Sequence, residues 1–188
     1  MNAKRFFDII TAAILLTILC VPILIIAIMV KVGSRGPILY WSDRIGINNE
    51  IFKMPKFRTM HTDTPAVATH LLTNPEAYLI PTGSFLRKFS LDELPQLWSI
   101  LKGDMSFVGP RPALYNQKDL IALRTSRGVH KIIPGITGWA QINGRDDIPI
   151  PQKVAYDEYY FKKRSFLFDL QILFMTAVKV IRAEGVRH

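Results

Sequence analysis

The chain has 188 residues, close to a single domain at roughly 150 residues per domain. It carries 24 Lys+Arg against 15 Asp+Glu, a formal net charge of +9, while 49% of its residues are hydrophobic and the mean hydropathy is +0.18. A disordered basic tail is poor in apolar residues and is excluded; the combination suits a protein on an anionic surface or around anionic substrates. The one cysteine, Cys20, excludes an intrachain disulfide and a cysteine-based zinc site.

Ile9 to Val30 holds no charged residue. As a straight helix it would be roughly 33 Å long, enough to span a bilayer core. Lys4 and Arg5 could begin a secretory signal, but no A-x-A cleavage site follows the run, and Ile18 and Leu19 are too bulky for a lipoprotein signal at Cys20. Pro22 lies past the middle. It has no N–H, so the carbonyl of Ile18 loses its helical partner and a bend is expected near Val21-Pro22. Lys4 and Arg5 precede the run and Lys31, Arg35 and Arg44 follow it, so basic flanks favour neither end. The residues allow a kinked spanning helix or one that enters, breaks and leaves on the same face.

Gly33-Ser34-Arg35-Gly36-Pro37 reads as a linker. Ile38 to Trp41 and Ile51 to Met54 read as extended runs around a polar turn at Asn48-Asn49. Lys53, Lys56 and Arg58 alternate with Phe52, Pro55 and Phe57 over a stretch that reads as a strand or an exposed amphipathic one. Thr62 to Pro81 reads as a surface insertion with one short helix. A helix is expected over Asp92 to Lys102, started at Asp92 so that Pro95 falls in its first turn, and stopped by Gly103. That start places the adjacent carboxylates Asp92 and Glu93 at a helix N-terminus, where the dipole favours the ionised form.

Basic and glycine-bearing segments gather around this pair: Arg87 and Lys88 before it, then Gly109-Pro110-Arg111-Pro112, Pro134-Gly135-Ile136-Thr137-Gly138 and Asn143-Gly144-Arg145. Arg111 between two prolines suits a guanidinium gripping phosphate, and the glycine turns would offer free amides to anions. Each feature alone also fits a plain role, as a helix cap, a structural ion pair or an ordinary turn. Together with an apolar segment they favour phosphate chemistry at a membrane. At the C-terminal end, Tyr156, Tyr159, Tyr160 and Phe161 precede Lys162-Lys163-Arg164, a composition that favours the headgroup layer. Phe166 to Ile181 reads either as a core helix or as an interfacial one.

Four ordered motifs carry a family resemblance. They are Lys53-Met54-Pro55-Lys56-Phe57-Arg58-Thr59-Met60, then Ser90-Leu91-Asp92-Glu93-Leu94-Pro95-Gln96-Leu97, the run from Leu101 to Pro112, and the run from Pro134 to Arg145. The chain resembles the bacterial sugar transferases, monotopic polyprenyl-phosphate phosphoglycosyl transferases, from Lys4-Arg5 to the final helix, and its length resembles their minimal catalytic form. The resemblance implies an α+β fold, predominantly helical with a small β element. An N-terminal re-entrant membrane helix (1–32, broken at Val21-Pro22 without the family's serine) would precede a catalytic domain (33–188) with amphipathic interfacial helices. It implies transfer of a sugar-1-phosphate from a UDP-sugar to polyprenyl (undecaprenyl) phosphate, giving polyprenyl diphosphate sugar and UMP and initiating lipid-linked glycan or polysaccharide synthesis. By the motif match Asp92 is the nucleophile, forming a phosphosugar-aspartyl intermediate. Glu93 assists, Mg2+ lies at the dyad, Arg111 binds phosphate or nucleotide, and Lys56, Arg58, Arg87 and Arg145 supply further positive charge. The implied location is the cytoplasmic face of the bacterial inner membrane, among phospholipids, with no nucleic-acid partner and with room for a homo-oligomer. A membrane-anchored basic adaptor would explain the charge but not the paired acids; a metal-dependent lipid-phosphate hydrolase would release inorganic phosphate instead.

Overall fold

In the computed structural model, which describes residues 3–65, 73–144 and 148–181, the chain starts with two helices that meet at an angle. α1 (Ala3–Ile18) and α2 (Cys20–Gly33) are bent by 64° across Leu19. The break falls one turn before Val21-Pro22, which lie inside the first turn of α2. A proline disturbs the carbonyl four residues back, here that of Ile18, and leaves its own position helical. The ladder continues on either side, with Leu19 N–H donating to Leu15 O at 2.8 Å and Ile23 N–H to Leu19 O at 2.9 Å. No single described helix is long and apolar enough to cross a membrane; the bent pair reaches that length and composition together.

The basic residues at the start of α1 are docked rather than free. Lys4 Nζ donates to Val108 O at 3.0 Å and pairs with Asp169 Oδ2 at 2.6 Å. The Arg5 guanidinium donates to the carbonyls of Ile100 and Leu101. Buried Asp8 accepts the N–H of Phe107.

β1 (Leu39–Ile45) and β2 (Ile51–Phe57) form the expected antiparallel hairpin, in register from Leu39↔Phe57 to Ile45↔Ile51. The turn between them takes Asn48 and Asn49 to positive φ, which asparagine tolerates well. Within the stretch read as an insertion, a 3₁₀ turn spans Pro75–Tyr78 and Leu79 bridges to Met60.

α3 (Gly83–Lys88) leads through Ser90, at φ 54°, into a 3₁₀ turn over Leu91–Glu93. α4 (Gln96–Lys102) starts later than expected, with Pro95 as its N-cap rather than within its first turn. Proline has no N–H for a helix to use, so it is best tolerated at this boundary. Gly103, at φ 102°, closes α4 as expected. Arg5 caps the same end from outside, donating to Leu101 O and to Ile100 O, the latter also accepting Gly103 N–H at 3.1 Å.

β3 (Ser106–Val108) and β4 (Gly135–Thr137) form a short parallel pair. This replaces the anion-binding turn expected at Pro134 to Gly138. Gly109 N–H is committed to Thr137 O at 2.9 Å, and Gly135 N–H to Pro110 O at 3.0 Å. The glycines serve close approach: a Cβ on Gly135 would lie 2.1 Å from Gly109 N, and one on Gly109 would lie 2.4 Å from Ile133 O.

Among the described residues the later α-helices are α5 (Lys118–Ser126), α6 (Trp139–Asn143), α7 (Ile150–Lys163) and α8 (Phe166–Ile181). The main core joins Ala12 of α1, Met54 of β2, Leu97 and Ile100 of α4, Phe107 and Val108 of β3, Tyr160 of α7 and Ile172 of α8. Tyr160 therefore faces the interior, its hydroxyl 2.6 Å from Asp169 Oδ1, and not the headgroup layer expected for the tyrosine cluster. α8 has two unlike faces: Ile172 is fully buried, as a core helix requires, while Leu167 and Phe174 are more than two-thirds exposed. The architecture is mostly helical with two small sheets, consistent with an α+β class.

Candidate functional site

The 3₁₀ turn between α3 and α4 carries Asp92 and Glu93, and β2 runs beside it. The strand's alternation aims Phe52, Met54 and Lys56 to one side. Met54 enters the core, and Lys56 reaches the carboxylates. Its Nζ lies 2.7 Å from Glu93 Oε1 and 3.9 Å from Asp92 Oδ2. Arg111 arrives from the loop after β3, with Nη2 at 3.1 Å from the same Glu93 oxygen. Two cations from distant segments thus converge on Glu93, and Asp92 lies at the edge of their reach.

The two adjacent acids are made unlike by this arrangement. Burial works against charge on both. At Asp92 it wins: desolvation pushes the carboxyl above its ordinary value, Lys56 and Arg87 oppose the rise, and the neighbouring charge of Glu93 adds to it. At Glu93 the Lys56 and Arg111 charges and their hydrogen bonds outweigh desolvation and hold the carboxyl well below the usual range. The site therefore pairs a cation-bound glutamate that holds its negative charge readily with a buried aspartate that carries its negative charge less readily. Four residues after Asp92, Gln96 is 2% exposed and its amide nitrogen has no hydrogen-bond partner among the described residues.

Other expected site residues are placed differently. Arg87, in the last turn of α3, acts on Asp92 through its charge. Arg58 is 5% exposed and turned to the linker: Nε donates to Pro37 O at 2.7 Å, Nη1 to Ser34 Oγ at 2.7 Å and Nη2 to Ser34 O at 3.0 Å. It fixes the path from α2 to β1. Arg145 lies outside the described residues.

Sequence reading did not single out Arg124 and Asp157 or foresee where Arg44 docks. Arg44 Nη1 donates to Pro112 O at 3.1 Å, and Arg124 Nη1 to Arg111 O at 2.8 Å. These guanidiniums hold the Pro-Arg-Pro backbone from behind. No local pattern marks them, because their partners are carbonyls of a distant loop. A cavity of about 30 Å³ lined by Pro110, Pro112, Arg124 and His130 leaves room there for water but not for a nucleotide.

Among the described residues no group of three or more His, Cys, Asp and Glu side chains converges as a metal site. A hard divalent cation of the Mg2+ kind needs only one or two carboxylates when substrate phosphates and water complete its shell. The Asp92-Glu93 pair fits that requirement.

The family model described as "Bacterial sugar transferase" matches residues 1–183. The chain is 42% identical over its full length to the uncharacterized sugar transferase EpsL of Bacillus subtilis (strain 168), covering 92% of that protein. It is 38% identical to the undecaprenyl-phosphate glucose phosphotransferase of Komagataeibacter xylinus, with 96% of this chain matching 36% of that one. It is 37% identical to the UDP-glucose:undecaprenyl-phosphate glucose-1-phosphate transferase of Escherichia coli (strain K12), with 94% of this chain matching 39% of that one. The family match over residues 1–183, a range that includes the acidic pair, Lys56 and Arg111, places this chain in the bacterial sugar transferase family.

Proposed function

We propose that the protein is a phosphoglycosyl transferase that moves a sugar-1-phosphate from a UDP-sugar to a polyprenyl phosphate through a covalent adduct on Asp92. The observation that carries this reading is the asymmetry of the acidic pair. Glu93 is engaged by Lys56 and Arg111, whereas the nearest of those cations is 3.9 Å from Asp92, which keeps an oxygen available for attack.

In the first step an Asp92 carboxylate oxygen bonds to the sugar-bearing phosphorus. The bond from that phosphorus to the bridging oxygen breaks, and UMP leaves with the electron pair. In the second step a phosphate oxygen of the acceptor attacks the same phosphorus. The aspartyl O–P bond breaks, the carboxylate is restored, and polyprenyl diphosphate sugar is released. A carboxylate approaching a diphosphate meets like charge, and Lys56, Arg87 and Arg111 offset it. Glu93 holds Lys56 and Arg111 in place. Mg2+ held by Asp92 and Glu93 would supply further neutralisation of the diphosphate. A covalent adduct lets a soluble donor and a lipid acceptor use one site in turn.

The N-terminal helices supply the membrane contact in this reading. Ile10, Ile14 and Ile18 of α1 and Val21, Leu24, Ile25 and Ile28 of α2 are exposed and apolar. Lys4, Arg5 and Asp8 tie the start of α1 to β3, α4 and α8, and Arg58 ties the linker after α2 to β2. Both ends of the bent pair thus belong to one body, which favours a re-entrant hairpin over a spanning helix and a monotopic enzyme on the cytoplasmic face of the bacterial inner membrane. The products would begin a lipid-linked glycan.

The test is UMP release by purified protein supplied with undecaprenyl phosphate and a panel of UDP-sugars, UDP-glucose first. The wild type should release UMP with at least one donor and stop when divalent metal is chelated. Asp92→Asn, nearly isosteric, should fold and release none. Near-normal release by that variant would remove Asp92 as the nucleophile.

A further inference from the structure

The loop that carries Arg111 is flanked by prolines at 110 and 112, which have no N–H to give. Those positions can be held only through their carbonyls, and four successive carbonyls, 110 to 113, accept a donor from elsewhere. Gly135 N–H bonds Pro110 O at 3.0 Å, Arg124 Nη1 bonds Arg111 O at 2.8 Å, Arg44 Nη1 bonds Pro112 O at 3.1 Å, and Ile45 N–H bonds Ala113 O at 2.9 Å.

The second of these bonds is the most expensive to arrange. Arg124 sits on α5 and is 8% exposed; Asp157 sits on α7 and is 2% exposed. Arg124 Nε and Nη2 both donate to Asp157 Oδ2, at 2.9 and 2.7 Å. Burying such a pair costs desolvation that apolar side chains of similar size would avoid, so packing alone does not account for it. The guanidinium's remaining contact is the carbonyl of the one loop residue whose side chain reaches Glu93. The Pro112 ring fixes its own φ and limits the residue before it, so the direction of the Arg111 carbonyl sets the remaining backbone freedom of Arg111.

We propose that Arg124, oriented by Asp157, is a positioning residue that fixes the Arg111 backbone so that its guanidinium meets both Glu93 and the donor diphosphate. This rests on the phosphoglycosyl transfer reading for its substrate. It does not rest on that reading for the backbone constraint.

The decisive variant replaces both partners, Arg124→Met with Asp157→Leu, and so leaves no buried charge unpaired. It is compared with the wild type by circular dichroism, thermal melting, UMP-release kinetics in the donor, and amide hydrogen exchange across residues 111–114. The expected result is a folded, cooperatively melting protein whose kcat/KM for the UDP-sugar falls about tenfold or more, with most of the loss in KM. KM for undecaprenyl phosphate should hold, and exchange at 111–114 should quicken. Asp157→Asn, which keeps an acceptor for Arg124, should lose much less. A folded double variant with unchanged donor kinetics would make the pair a packing device and overturn the proposal. If the double variant does not fold, Arg124→Lys is judged by the same criteria, and failure of both to fold would likewise assign the pair to structure alone. If the wild type releases no UMP from any donor, the transferase reading fails by itself. Exchange at 111–114 then decides: faster exchange in the variant upholds the backbone constraint, and unchanged exchange overturns it.

Discussion

Lys56 lies within ion-pair reach of both carboxylates, close to Glu93 and distant from Asp92. Its charge therefore affects the two acids differently. With Arg111 it lowers Glu93 against the desolvation of burial, and it only moderates the burial that raises Asp92. Asp92 must be ionised to attack, so kcat/KM should fall as pH drops through a value above the ordinary 3.8 of aspartate. Lys56→Met removes a charge that lowers the Asp92 value, so the acid limb of that profile should move to higher pH. A pH–rate profile of the two proteins checks this, and an unmoved limb would mean that another group controls it. At this scale the sequence was informative about Asp92, Glu93, Lys56 and Arg111, because each lies in a dense local motif. Arg58 lies in the same motif as Lys56, two residues later and therefore on the same face of an ideal strand. β2 ends at Phe57, however, and Arg58 turns to the linker. Alternation is a poor guide past the last paired residue.

Among the elements, the hairpin, α8 and the stop of α4 at Gly103 were legible because local chemistry determines them: paired asparagines, an apolar period and a left-handed glycine. The β3–β4 pair was not legible. Three-residue strands carry little pattern, and their glycines look like turn residues until the partner strand is beside them. Gly135→Ala tests this directly. Its Cβ would meet Gly109 N at 2.1 Å, backbone against backbone, so the pair must separate. Thermal denaturation should show a loss of about 3 kcal/mol, the upper end for an overpacked site. A melting point like that of the wild type would contradict so close an approach. The break at Leu19 belongs to the same scale. Sequence led to a break near Val21-Pro22 with the Ile18 carbonyl losing its partner; the bend is at Leu19, next to that carbonyl. A cysteine at position 2, in a background where Cys20 is replaced by serine, should resist a membrane-impermeant thiol reagent in intact cells. Labelling from outside would contradict the re-entrant hairpin and favour a spanning one.

For the whole molecule, the Lys4 and Arg5 side chains change the meaning of the N-terminal charge. Read as sequence, they are flanking charges that give no preference for orientation. In the fold they are ligands of the body, one in an ion pair with Asp169 and the other a cap on α4, the helix that follows the acidic pair. The bent apolar helix pair, the site and the exposed face of α8 are thereby parts of one unit, so the bilayer contact proposed for the helix pair and the proposed chemistry would share the same elements. The central claim for that unit is a bond between Asp92 and the sugar phosphate. Intact-protein mass spectrometry after mixing purified enzyme with the UDP-sugar it uses, in the absence of acceptor, measures it most directly. The account predicts an increase of one sugar phosphate per chain, mapped by peptide analysis to Asp92, absent from Asp92→Asn and discharged when undecaprenyl phosphate is added. Stoichiometric UMP release with acceptor present, but with no adduct at any donor concentration or quench time, would contradict it and point to direct attack by the lipid phosphate.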